Sequence, residues 1–160
     1  MEINFLALVV AAASTFVVGF IYYNPKVFGS VWMTAAGLTE EKVKAGNMAL
    51  IFGLSFLFAF MISMEMQFLT IHQTGAISMV GGDPSNALPS FQAFMDDYGN
   101  VYRTFKHGAL HGFLASLFFA FPMIATIGLF ERKSWKYILI NSGYWVICLT
   151  LIGAIVCGWK

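Results

Sequence analysis

The chain has 160 residues, of which 59% are apolar, 17% aromatic and only 11% charged. A soluble domain carries about 25% charged and 45–50% apolar residues, so this composition excludes an ordinary water-soluble fold and points to a bilayer as solvent. The net charge is +1 with no basic run, which excludes a nucleic-acid footprint.

Four apolar stretches are each long enough to span a bilayer, which takes about 20 residues. The predicted fold is all-α: an integral membrane four-helix bundle forming a single domain over residues 1–160. Helices are expected over about 3–23, 40–72, 104–130 and 136–159, with an outer loop over about 73–103.

The first stretch has no Lys or Arg before it and exceeds the roughly 7–15 apolar residues of a signal peptide, so it is expected to be a retained helix. Asn24-Pro25 ends it, because the residue before proline avoids the α region. Ala7, Ala11, Thr15 and Gly19 form a small-residue stripe on one of its faces.

Leu38-Thr39-Glu40-Glu41 reads as a helix start: Thr39 can cap, and two acids face the helix dipole. The second helix is thus expected to begin near Glu40 in water and enter the bilayer near Met48. Ala45, Ala49 and Gly53 are its small-residue row.

In the long loop, Gly81-Gly82-Asp83-Pro84 is turn chemistry. Ser90 then precedes Phe91, Phe94, Met95 and Tyr98 at helical spacing, with Gln92, Asp96 and Asp97 opposite. This predicts a short amphipathic helix lying on the membrane or capping the bundle.

The third helix carries Gly108, Gly112 and Ser116 in one row, and Pro122 in mid-span predicts a kink. A short connection from Glu131 to Lys136 makes the last two helices a hairpin. In the fourth helix, Asn141 is an intramembrane polar residue that could hydrogen-bond to Asn24 or Tyr23, as helix glue. Cys148 and Cys157 face nearly opposite sides of that helix, so no disulfide joins them. The small-residue rows fit packing within one bundle or an oligomer interface.

Lys26, Lys42, Lys44, Arg132, Lys133 and Lys136 lie on the side of the first and third connections, whereas Arg103, Lys106 and Lys160 lie on the other. Six against three favours the former side in the cytoplasm, with both termini and the 73–103 loop outside.

Ionisable groups inside a bilayer are costly and are functional candidates. Glu65 lies seven residues before His72, two helical turns away on the same face. His107 and His111 open the third helix at i, i+4. All four are expected at the outer end of the bundle. Three readings fit. The first is a structural Glu–His pair. The second is a metal site suited to zinc, or to copper if Met61 and Met64 contribute. The third is a proton relay.

No nucleophile elbow, P-loop, dinucleotide-binding glycine pattern or zinc-finger spacing is present. No catalytic residues are assigned, and a non-enzymatic protein is favoured over an enzyme acting on a lipid.

Four segments carry a family resemblance: Tyr22-Tyr23-Asn24-Pro25-Lys26, His107-Gly108-Ala109-Leu110-His111-Gly112, Glu131-Arg132-Lys133-Ser134-Trp135 and Asn141-Ser142-Gly143-Tyr144-Trp145. With these the chain resembles the family of domain of unknown function 1761, small four-helix membrane proteins found mostly in bacteria. Tyr22-Tyr23 stands where that family usually has Trp-Tyr. The resemblance implies the fold and a bacterial inner (cytoplasmic) membrane, and brings no catalytic residues.

The leading expectation is a scaffold or accessory subunit, homo-oligomeric or attached to a larger membrane complex. The alternative is metal-ion or proton handling through Glu65, His72, His107 and His111, with zinc or copper as the ion and no other cofactor.

Overall fold

The computed structural model describes residues 3–160, and every element in it is helical. Among the described residues four helices are long and apolar enough to cross a membrane, which makes this a multi-pass membrane protein. They are α1 (Phe5–Tyr22), α4 (Met48–Thr70), the continuous rod Phe105–Phe130 made of α7 (Phe105–Ala115), a π turn and α8 (Phe121–Phe130), and α9 (Trp135–Gly158).

Short elements decorate both ends. A π turn at Pro25–Gly29 follows α1 and leads into α2 (Ser30–Ala36). Asn24 sits in an extended conformation before Pro25, and its Oδ1 accepts from the Lys26 N–H at 3.0 Å. The α2 helix ends at Gly37, whose φ of 74° lets the Leu38 N–H reach back to the Met33 carbonyl at 3.0 Å. Next come α3 (Glu40–Lys44) on one side of the membrane, then α5 (His72–Met79) and α6 (Pro89–Tyr98) on the other.

The expected single helix over 40–72 is three pieces. The Thr39 hydroxyl caps α3, and Asn47 caps α4 by accepting from the Leu50 N–H at 3.1 Å. At the far end Ile71 is extended (φ −104°, ψ 102°) and buried, which separates α4 from α5. The expected loop helix is present as α6, while α5 was not foreseen. Between them Asp83 caps a turn. The Ser85 hydroxyl and N–H both serve its carboxylate and hold its pKa below the ordinary value.

The centre of the bundle is α9, which packs against α1, α4, α7 and α8. Leu8, Ala11, Met66, Ile71, Ala115, Leu149, Ile152 and Val156 form the buried core. The closest approach is between α7 and α9. A methyl built on Gly108 would strike the Gly153 carbonyl and come within 2.6 Å of Cys157 Cβ; one on Gly112 would strike the Leu149 carbonyl. Only glycine permits this backbone contact, which replaces hydrophobic driving force inside a bilayer. On α1, Ala11 and Thr15 are buried, and Gly19 faces the Tyr144 ring.

Gly53 does not share this role. It is exposed, with nothing within 4 Å of an added methyl, and Ala45 and Ala49 are exposed too. The residues that α4 buries within the chain are Ala59, Ser63, Met66, Gln67 and Thr70, whereas Ala45 is the C-cap of α3 and Ala49 and Gly53 make no buried contact. The first half of α4 buries nothing.

Pro122 lies at the start of α8, directly after a π turn at Ser116–Ala120. The wider turn routes the Phe121 N–H to the Ser116 carbonyl, which accommodates the donor that proline lacks. The buried hydroxyls of Thr15, Ser63, Thr70 and Ser116 donate to backbone carbonyls three or four residues back. Cys148 and Cys157 are both buried and free.

Candidate metal centre

The start of α7 is set by Thr104, whose hydroxyl accepts from the His107 N–H at 3.2 Å. Gly108 and Gly112 press the helix onto α9, and this fixes its rotation. His107 and His111, one residue before each glycine, therefore project along the flank of the contact. His72 arrives from the other side as the first residue of α5. The buried Ile71 anchors the break before it, and the Thr74 hydroxyl bonds the Ile71 carbonyl at 2.6 Å.

These elements bring the three histidines together. One ring nitrogen from each lies within 4.8 Å of the other two. His72 Nε2 and His107 Nε2 are 3.2 Å apart, and the His107 and His111 ring centroids are 4.4 Å apart. Ligand nitrogens on a tetrahedral zinc stand about 3.3 Å from each other, given Zn–N near 2.0–2.1 Å. The closest pair already matches that spacing. The 3.2 Å separation also suits one Nε2–H donating to the other ring's lone pair.

Glu65 is not part of the cluster. It is exposed on α4, outside the group of nitrogens, and has no hydrogen-bond or ion-pair partner among the described residues. The two-turn spacing to His72 fails because the extended Ile71 breaks the helix between them. Met61 and Met64 also point out of the bundle, so the thioethers invoked for copper are not at the histidines. The methionines near His72 are Met79 and Met95, which share a cavity with it.

A second tier of residues holds the cluster in place. The Tyr102 ring packs 5.0 Å from His107 and 5.5 Å from His72, centroid to centroid. Arg103 donates from Nε to the Cys157 carbonyl at 2.9 Å and from Nη1 to Gln73 Oε1 at 3.4 Å. It thereby ties the neighbour of His72 to the C-terminal end of α9, where a cation also suits the helix dipole. The Cys157 Sγ lies 3.4 Å from both the Thr70 and the Tyr102 carbonyl oxygens, which share its single S–H. Sequence reasoning missed Arg103, Gln73 and Gly153. Only Gly153 carried a signal, as a small residue four positions before Cys157.

At the other end of the bundle Asn141 is a hydrogen-bond node. Its Oδ1 accepts from the Tyr23 hydroxyl and the Trp32 indole N–H, each at 3.2 Å, and its Nδ2 donates to the Tyr137 carbonyl at 2.8 Å. Asn24 takes no part, because its side chain caps the π turn. All polar atoms of the Asn141 amide are engaged within the chain, which makes it a strut between α1, α2 and α9.

The family described as Protein of unknown function (DUF1761) matches residues 6–157, and the chain belongs to it. Comparisons with curated proteins and with solved structures give no match.

Proposed function

We propose that this membrane protein binds a divalent transition ion, zinc first, through His72, His107 and His111. The observation that carries this reading is the convergence of three imidazole nitrogens within 4.8 Å from two separate helices. Imidazole is a ligand for zinc, copper and nickel, whereas hard ions prefer oxygen donors, which the cluster lacks. The test is elemental analysis of full-length protein purified without chelator or affinity metal. About one ion per chain, lost in H107A and H111A, is the expected result. No stoichiometric ion, together with no thermal shift on adding zinc, overturns the reading.

The Lys and Arg distribution supports a cytoplasmic membrane with the histidine end outside. Single cysteines introduced at Ser85 and Lys42 read this directly, because both native cysteines are buried. Ser85 should label from outside in intact cells and Lys42 should not.

A second reading, an accessory subunit that self-associates or joins a larger complex, is favoured by Glu65. A carboxylate on the outward face of a spanning helix is costly against lipid and less so against a polar partner. A crosslinker at Met61 that recovers another chain, and fails to do so in E65L, is the supporting result.

A further inference from the structure

We propose that an ion at the three histidines takes its fourth ligand from outside the chain, and that this ligand is the carboxylate of a single-chain amphiphile. The inference rests on the metal reading above and assigns the class of ligand. The donor inventory comes first. Among the described residues no carboxylate or thiol joins the three nitrogens within the cluster. The nearby Cys157 thiol is turned toward two backbone carbonyls, and Glu65 lies on the outer face of α4. Zinc sites that are purely structural are closed by four protein ligands, whereas three protein ligands and an exchangeable fourth define a working site. Three neutral imidazoles leave the ion its full double charge, so the fourth ligand best suited is an anion.

The shape beside the cluster indicates what carries that anion. A cavity of about 380 Å³ lies between α5 and α6, and His72 forms part of its wall. Ala76, Phe94, Met95, Tyr98 and Tyr102 supply most of the rest. The wall is largely apolar, and its volume is at the lower end of the range for small-molecule sites. That size suits one short chain rather than the two chains of a phospholipid. Of the three histidines His72 alone lines this cavity, so a carboxylate held at the ion would lay its tail past His72 against the apolar wall.

The experiment uses full-length protein loaded with cobalt, whose visible spectrum reports coordination, titrated with acetate and hexanoate. Both should perturb the spectrum, with hexanoate roughly tenfold tighter, the equivalent of fewer than two of its four additional methylenes being fully buried at about fourfold each. In A76F, which narrows the cavity, acetate should bind as before and the hexanoate advantage should fall to about twofold or less. Retained cobalt uptake and acetate response certify that this variant is folded. If cobalt binds and neither carboxylate changes the spectrum, the fourth position is closed and the inference fails while the metal reading stands. If hexanoate keeps its advantage in A76F, or hexyl phosphate binds tighter than hexanoate, the assigned cavity or ligand class is wrong. If cobalt does not bind, the metal reading itself falls.

Discussion

His72 Nε2 and His107 Nε2 lie 3.2 Å apart although 35 residues separate them. His72 begins the helix that follows the extended Ile71, and His107 lies in the first turn of α7, just after the extended Thr104. Their meeting depends on Arg103, Tyr102 and the glycine contact between α7 and α9.

Metal content should divide the candidate residues. H72A, H107A and H111A should each lower zinc affinity by at least about tenfold, whereas E65Q should leave it unchanged. Elemental analysis and competition with a chromogenic chelator measure both.

Arg103 should act as a positioning residue. R103A removes the link between Gln73 and the Cys157 carbonyl, so zinc affinity should fall about tenfold while one ion still binds at saturation. R103K, which keeps the charge but not the fork, should restore only part of the loss.

Stabilisation by zinc should depend on pH with a definite sign. Imidazole binds a metal only when neutral, so protons compete with the ion. A zinc-induced rise in Tm should be full above about pH 7 and vanish near pH 5, since an ordinary imidazole titrates near 6.5. At 100 times Kd the ion should add about 2.7 kcal/mol at the higher pH. Thermal melts with zinc and with EDTA at both pH values read the difference.

The glycines should separate cleanly. G112A places a methyl against the Leu149 carbonyl and 2.9 Å from Thr150 Cα, and should cost about 1–3 kcal/mol. G53A meets nothing and should be neutral or slightly stabilising. Unfolding in mixed detergent micelles compares the two.

Asn141 gives a prediction at the opposite end. N141A leaves the Tyr23 hydroxyl and Trp32 indole without their acceptor and should cost about 1–3 kcal/mol, more than Y23F, which removes one donor and leaves the amide partly engaged.

The spans were legible because a bilayer leaves no alternative to helices of this length and composition. His107 and His111 were legible as a pair because one turn of unbroken helix relates them. Glu65 was misplaced for the complementary reason. Its phase was carried to His72 as if the helix continued, and one extended residue cancels that arithmetic. Gly53 was legible only as a small residue: such residues at four-residue spacing recur on any face, and only the packing of Ala59, Ser63 and Met66 tells what α4 buries within the chain. Arg103 had no local signal, since its partners lie 30 and 54 residues away.

The break at Ile71 also works as a mechanical coupling of a particular kind. A continuous helix would transmit any rotation of α4 to His72 at about 100° per residue of register change. The extended Ile71 ends that register, and His72 is seated instead by local contacts: Ile71 is buried and the Thr74 hydroxyl donates to its carbonyl at 2.6 Å. Side chains on the exposed face of α4, Glu65 among them, can therefore be substituted without touching the contacts that seat His72. Substitutions that rotate α7 have no such buffer, because the two rings there ride on the same turn that seats Gly108 and Gly112 against α9.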